Sequence, residues 1–342
     1  MAKRPVVMKL ATCQPVDYKE SAILKALESD GQLLAETKHD GVQLNLVVKD
    51  GETHFLSRAG IEFEALGFTT SNLSALLQLH FASSFNGYKK GYVIQGELVA
   101  LNAAEQPLEA AVTAGILRRK DAPEYAQKYA FVMFGILPLD EVEGTESINI
   151  TREMLNVQAK TFLWGLKQIA AGAHHLKPQN DLSQLSLEVV QQIPVFRLED
   201  DTLSVDGATV PSLMGAYREA RHHGYEGLVV WKIGAVWHRG KKTGGWKIKP
   251  NETYDGKIIG FFKGDAVLTK NLIVGFEVQL EDGHVVKADG LTDALSFAVT
   301  KNPSQYMDAQ VEVSCMERFA NGSLRHPKFK DFRGITSPTV KE

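Results

Sequence analysis

The chain has 342 residues, 44% of them hydrophobic and 23% charged, with a net charge of −3 and two cysteines, Cys13 and Cys315. That length suits about two domains with a sizeable core, and the slightly negative balance excludes a protein that coats nucleic acid with its whole surface, so local basic patches must do any such binding. Two isolated cysteines exclude a CxxC zinc pair and a disulfide framework, and the start, with Lys3 and Arg4, lacks the apolar run of a signal peptide or membrane span, so a soluble cytosolic protein is expected.

Ile23, Leu24 and Leu27 recur at helical spacing and predict a short helix over residues 18–29. Leu33-Leu34-Ala35 then leads to Lys38, Asp40-Gly41 signals a turn, and Leu44, Leu46 and Val48 alternate on the way out. This pattern predicts a hairpin with Lys38 at its mouth. A second turn falls at Lys49-Asp50-Gly51-Glu52, with a return strand over residues 53–56. Leu73, Leu76, Leu77, Leu79 and Phe81 predict a helix, residues 92–99 a strand through Glu97, and residues 129–137 another strand. Helices are expected over residues 107–119, 154–169 and 212–222, the last ahead of a strand at Leu228.

The run Arg239-Gly240-Lys241-Lys242-Thr243-Gly244-Gly245 is basic, glycine-rich and free of acids, the composition of a flexible loop that grips phosphates. Trp246-Lys247-Ile248-Lys249 reads as a strand, with Lys247 and Lys249 on one face. Beyond Pro250 the texture changes. Strands are expected over residues 254–262, 272–280, 284–288 and 309–316, with one helix over 291–299. Short strands with an inserted helix predict a small Greek-key barrel of OB type.

Lys38 is the residue with the most chemistry on offer. A lysine amine attacks a phosphate only as the neutral base, and its reference pKa is about 10.4, so burial or nearby cations must lower it. Lys-x-Asp-Gly by itself more often marks an ordinary turn lysine. Lys247 and Lys249 could meet one phosphate, neutralise its charge and disfavour the ammonium form of Lys38. Glu97, in Gln95-Gly96-Glu97-Leu98, and Glu226, in Glu226-Gly227-Leu228-Val229-Val230, sit beside glycines that let a ligand approach. Carboxylates suit ribose hydroxyls and magnesium.

The ordered set Lys38-x-Asp40-Gly41, Glu97, Glu226-Gly227 and Lys247-Ile248-Lys249-Pro250 resembles the covalent nucleotidyltransferases, a superfamily of ATP-dependent DNA ligases, RNA ligases and mRNA capping enzymes. It is most similar to the small two-domain DNA ligases of short-tailed bacteriophages, over residues 21–334. The resemblance implies an α+β fold in two parts. Residues 1–250 would form an ATP-grasp-like adenylation (nucleotidyltransferase) domain of antiparallel sheets with flanking helices, and residues 251–342 a small OB-fold β-barrel domain. It also implies ATP and Mg2+ as cofactors, nicked double-stranded DNA as partner, a monomer, and a place in the bacterial cytosol.

By the same resemblance Lys38 attacks the α-phosphate of ATP, AMP passes to the 5′-phosphate of a nick, and the 3′-hydroxyl displaces AMP. Lys247 and Lys249 assist catalysis, and Asp40 orients the reacting groups near the 3′ end. Glu36 reads the exocyclic amine of the base, beside Thr37, while Phe134 stacks on the adenine. Glu97 takes the ribose and, with Glu226, the metal. Arg58 reads the 5′-phosphate of the nick, Arg239, Lys241 and Lys242 hold DNA, and Arg325 and Arg333 belong to the last motif, Leu324 to Gly334. Gln43 stands where the family carries arginine, Trp231 where it carries lysine, and Ile335-Thr336 where an Asp-Lys pair closes the last motif in many ligases. An RNA ligase or capping-type enzyme is the nearest alternative, and the charges lost at Gln43 and Trp231 also permit a nicked-DNA binding protein with weak catalysis. An NAD-dependent ligase is disfavoured, since its zinc cysteines and nicotinamide domain have no counterpart.

Overall fold

The computed structural model describes residues 4–49, 51–63, 66, 72–84, 88, 90–118, 128–172, 185–199, 204–205, 208–209, 211–265, 269–319 and 321–333. The chain divides into two units, Met1–Ile248 and Lys249–Glu342.

In the first unit the elements run β1 (Cys13–Asp17), α1 (Glu20–Asp30), β2 (Leu33–Lys38), β3 (Val42–Lys49), β4 (Glu52–Ser57), α2 (Asn72–Ser84), β5 (Tyr92–Leu101), α3 (Ala110–Leu117) and β6 (Lys128–Pro138). They continue with α4 (Leu139–Glu143), α5 (Arg152–Gly172), β7 (Leu185–Val189), β8 (Gln192–Val195), β9 (Ser204–Val205), β10 (Ala208–Thr209), α6 (Leu213–His222), β11 (Gly227–Lys232) and β12 (Gly240–Ile248). The larger strands form two five-stranded sheets, ordered β1-β12-β11-β2-β8 and β4-β3-β5-β6-β7.

Each sheet buries one apolar layer under helices. Leu33, Ala35, Leu228, Val230 and Trp246 from the first sheet pack with Ile23 of α1 and Leu213 of α6. Leu44, Leu46, Ile94, Phe131 and Met133 from the second pack with Leu77 of α2 and Phe162 of α5. Burying each large side chain of this kind contributes on the order of 1.5–3 kcal/mol. No helix among the described residues is long and apolar enough to cross a membrane.

Two expectations are corrected here. The segment through Lys38 is not a hairpin: β2 pairs with β11 and β8, whereas β3 pairs with β4 and β5. The turn at Asp40-Gly41 therefore carries the chain from one sheet to the other. A Cβ on Gly41 would lie 2.4 Å from the carbonyl oxygen of Leu98, so only glycine lets this crossing lie against β5. The basic run from Gly240 is not a free loop either; it is the first half of β12, paired in parallel with β1 through Cys13↔Gly240 and Gln14↔Lys241. Composition read these residues as mobile because β1, its partner, lies more than two hundred residues upstream and carries little apolar pattern of its own.

The second unit consists of β13 (Glu252–Lys263), β14 (Ile273–Leu280), β15 (Val285–Asp289), α7 (Asp293–Lys301), a turn of 3-10 helix (Pro303–Gln305), β16 (Gln310–Cys315), β17 (Glu317–Arg318), β18 (Leu324–Arg325) and β19 (Lys328–Phe332). Five strands close into a barrel in the order β13-β14-β15-β19-β16 around Ile258, Phe276, Val278, Val311 and Val313. Thr292 caps α7 by accepting a hydrogen bond from the backbone N–H of Leu295 at 3.3 Å. Asp50, Arg119, Gly334 and Ile335-Thr336, which entered the sequence reading, lie outside the described residues.

In the first sheet Trp231 pairs directly with Gly245, and a Cβ at Gly245 would stand 2.2 Å from the indole. Gly245→Ala is therefore expected to destabilise the protein by about 1–3 kcal/mol, the cost of overpacking a filled site. Urea unfolding checks this, and the double variant with Trp231→Ala should lose less than the sum of the two single changes. Simple additivity would mean that the indole does not set the limit at residue 245.

Candidate active site

The two sheets flank a cavity of about 620 Å³ whose lining includes Glu36, Thr37, Lys38, Gln43, Arg58, Glu97, Phe134 and Lys247. That volume lies in the range of small-molecule sites. The sheets supply its walls by register. Across the first sheet Glu36, Val229 and Lys247 form one row, because Val229 pairs with both. In the second, Gln43 pairs with Glu97. Phe134 falls where the β5–β6 register slips, between the pairs Gln95↔Gly135 and Gly96↔Met133. A bulge of this kind re-aims a side chain, and Phe134 keeps partial exposure into the cavity while its strand neighbours are buried.

Lys38 ends β2 opposite Gly227, and the backbone N–H of Glu226 donates to the Lys38 carbonyl at 2.9 Å. This hydrogen bond carries the Glu226 side chain to the lysine, and the ammonium pairs with the carboxylate. Sequence reasoning expected cations around Lys38; the structure sets an acid against it. Glu97 also acts on Lys38 electrostatically, and burial pushes the Glu97 carboxyl up to about 8, with the lysine lowering it and Glu226 raising it. As a whole residue Glu97 is only partly covered, but its carboxyl faces inward, where burial outweighs the nearby positive charge.

Lys247 lines the cavity and pairs with Asp17 at 3.1 Å, and Lys241 reaches the other oxygen of the same carboxylate at 3.2 Å. Burial works against the charge on Asp17, but the hydrogen bonds from Lys247 and Lys241 outweigh it and hold the group below the usual carboxylate range. β12 stops at Ile248, so Lys249 does not continue the lysine face of that strand; it opens the second unit. Asp40 is turned to the start of α3, where Oδ2 accepts from the N–H of Ala110 at 3.4 Å. Arg58 stands exposed at the cavity margin.

The guanidinium of Arg239 donates to the carbonyls of Glu141 and Glu146 and lies over Trp237. Lys242 is exposed on β12. In the second unit Arg325 pairs with Glu317 at 2.9 Å, and Arg333 with Asp255 and Glu312 at 2.9 and 3.0 Å.

Sequence reasoning missed Arg152, Gln192 and His39. Arg152, at the start of α5, is buried and donates to Oε2 of Glu36 at 2.6 Å. Gln192 donates to Oε1 at 2.9 Å. Trp231 was noted as a departure, yet its indole N–H also donates to Oε2 of Glu36, at 2.9 Å. His39 stacks edge-on against Tyr225 at 4.9 Å, and burial lowers its pKa. The signal available for Arg152 was a lone arginine in an amphipathic helix, which solvent ordinarily claims.

A strand-end lysine facing an acid in a cavity between two sheets is the arrangement that the resemblance to the covalent nucleotidyltransferases leads one to expect. Comparison with known proteins narrows it. The family described as ATP dependent DNA ligase domain matches residues 13–161. The DNA ligase of Enterobacteria phage T3 is 30% identical over 334 residues, covering 93% of this chain and 94% of that protein. The DNA ligase of Escherichia phage T7 is 26% identical with the same coverage. A solved structure of the bacteriophage T7 ATP-dependent DNA ligase in complex with ATP superimposes with a TM-score of 0.53 at 27% identity, covering 94% of this chain and 98% of that one. This chain belongs to the ATP-dependent DNA ligases.

Glu97 leads to a pH prediction. In the unfolded chain this carboxyl titrates near 4.5, whereas the folded protein holds the proton up to about 8. The unfolded state therefore binds fewer protons between these values, and stability falls as pH rises through them. Glu97→Gln should match wild type in thermal unfolding near the lower value and exceed it at the upper one. A difference in Tm that does not change with pH would show that Glu97 is not held neutral by the fold.

Proposed function

We infer that this chain seals nicks in duplex DNA through a covalent lysyl-AMP intermediate on Lys38. The observation that carries the reading is the placement of Lys38 beside Glu226 in a cavity that also holds Glu36, Glu97, Phe134 and Lys247, in a chain of this family. Nζ of Lys38 attacks the α-phosphorus of ATP, the bond to the β-phosphate oxygen breaks, pyrophosphate leaves, and the amine gives up a proton. AMP then moves to the 5′-phosphate of the nick, and the 3′-hydroxyl displaces it.

Lys247 neutralises phosphate charge during the first step, exchanging the Asp17 carboxylate for the nucleotide. Lys249, one residue past β12, is assigned to the same task by the family resemblance. Glu36 reads the base, with Thr37 beside it on β2, and Phe134 stacks on the base, while Glu97, held neutral at ordinary pH in the absence of a cation, can both donate to and accept from the ribose hydroxyls. Gln43 beside Glu97 offers a neutral amide where relatives present arginine. Glu226 releases Lys38 when the amine reacts.

Glu226 and Glu97 also fit magnesium. The charge of Glu226 raises the pKa of Glu97; a bound cation would offset that charge and draw the proton from Glu97, turning it from a hydrogen-bond donor into a ligand, and magnesium keeps several waters and needs only one or two carboxylates beside phosphates. Such an ion, held by these residues, would supply charge neutralisation on the triphosphate.

Asp40 orients the 3′ end of the nick through the crossing turn, and Arg58 takes the 5′-phosphate at the cavity margin, a contact suited to a guanidinium. Lys241 and Lys242 on β12 and Arg325 and Arg333 in the second unit are assigned to DNA phosphates. We assign the first unit as the adenylation domain and the second as an OB domain; its closed five-stranded barrel with a helix between the third and fourth strands in chain order supports that assignment.

The test is covalent labelling with magnesium and α-phosphate-labelled ATP, GTP or NAD, resolved on denaturing gels, followed by sealing of nicked duplexes. Label from ATP alone, lost in Lys38→Ala, is expected. Labelling that survives Lys38→Ala would sink the nucleophile assignment. Arg58→Ala should retain labelling and slow the sealing of a nick; loss of labelling with intact sealing by preformed enzyme-AMP would give Arg58 a different role.

A further inference from the structure

Glu36 is buried to 3% exposure, yet its carboxylate is engaged on both oxygens. Arg152 and Trp231 donate to Oε2 at 2.6 and 2.9 Å, and Gln192 donates to Oε1 at 2.9 Å. The three donors come from α5, β11 and β8, so three separate elements fix one side chain. Arg152 is itself held from outside. Its backbone N–H donates to the carbonyl of Ala235 at 2.9 Å, and Trp237 returns a hydrogen bond to Ile150 at 2.8 Å, which ties the start of α5 to the β11–β12 connection. The guanidinium lies 4.6 Å from the centre of the Trp231 ring, a cation–π contact, and that ring has room only because residue 245 is glycine. Glu36, Arg152 and Trp231 all line the cavity.

We propose that Arg152 is a positioning residue that sets the base selectivity of this cavity by locking the Glu36 carboxylate, with Trp231 and Gln192 completing the lock. The proposal rests on the reading of the cavity as the ATP site. An ionised carboxylate only accepts hydrogen bonds, at about four lone-pair positions. Arg152 and Trp231 occupy those of Oε2 and Gln192 takes one on Oε1, leaving a single acceptor for a donor in the cavity. A 6-amino purine brings an N–H donor to that acceptor. A 6-oxo purine brings a second acceptor and leaves two lone pairs opposed. Without Arg152 the carboxylate loses the cation that compensates its buried charge and one of the two bonds that orient Oε2, so the distinction between the bases weakens.

The experiment measures kcat/KM for covalent labelling of the full chain with α-phosphate-labelled ATP and with inosine triphosphate, whose base carries 6-oxo in place of 6-amino. Wild type, Arg152→Met, Arg152→Lys and Trp231→Phe are compared. Both nucleotides are read on one preparation, so a smaller folded fraction cancels in the ratio. Arg152→Met is expected to lower the ATP-to-inosine preference at least about tenfold, the worth of one hydrogen bond to a charged group, by losing ATP use more than inosine use. Arg152→Lys should recover part of the preference, and Trp231→Phe, which keeps the ring and removes the N–H, should lose less than Arg152→Met. An unchanged preference in Arg152→Met, or an equal loss with both nucleotides, overturns the proposal while leaving the ligase reading intact. Absence of label from either nucleotide in wild type, with preformed adenylate excluded by pyrophosphate treatment, overturns the reading of the cavity and the proposal with it.

Discussion

The antiparallel pairing of β2 with β11 is the constraint on which the rest of the site depends. It joins segments 188 residues apart at Lys38 and Glu226 and sets which side chains share a face. Because strand side chains alternate, the register that places Lys38 opposite Gly227 also places Glu36 opposite Val229, and Val229 opposite Lys247 on the next strand. A slip of one residue would turn Glu36, Trp231 and Lys247 away from the cavity and bring Ala35, Val230 and Trp246 out of the core. The apolar layer of Leu33, Ala35, Leu228 and Val230 therefore selects the arrangement of the cavity along with the fold.

Charge in the cavity is arranged in pairs. Lys38 meets Glu226, Lys247 meets Asp17, and Arg152 meets Glu36. A pair of this kind keeps a partly desolvated cation from standing uncompensated, at the cost that a ligand must displace the acid to use the base. The more exposed pair of Lys247 with Asp17 is held weakly. The pair of Arg152 with Glu36 is buried on both sides, with side-chain exposures of 6% and 4%, and acts as part of the frame. Positive charge at this end of the cavity thus comes from a helix residue, Arg152, whose guanidinium lies over the Trp231 ring.

Much of this was legible in the chain. Apolar spacing located α1, α2, α5, α6 and most long strands, because each has a face that must be buried and so leaves a period of 3.6 or 2 in the sequence. β1, β7 and β8 left no such trace: β1 and β8 are short and sit at sheet edges, and β7 runs parallel to β6 at the margin of the second sheet. Lys38, Glu97, Glu226 and Lys247 were legible as an ordered set of residue types, and Glu36 and Phe134 entered through the family resemblance; the fold brings Lys38, Glu36, Glu97, Phe134 and Lys247 to one cavity. Arg152 and Gln192 were not, since neither belongs to a motif and both act only through Glu36.

The sequence by itself determined which segments bury an apolar face, where the composition turns from mixed helices and strands to short strands near Pro250, and which residue types in which order imply lysine adenylation. These are properties of local spacing and of side-chain chemistry, and they need no partner to be read. Only the tertiary structure decided that β2 and β3 part into separate sheets, that the basic run after Arg239 is a strand, and that Arg152, Trp231 and Gln192 converge on one carboxylate. Each of those depends on hydrogen bonds between segments far apart in the chain, and a backbone donor or a buried guanidinium has no preference for a distant partner until folding brings one within reach.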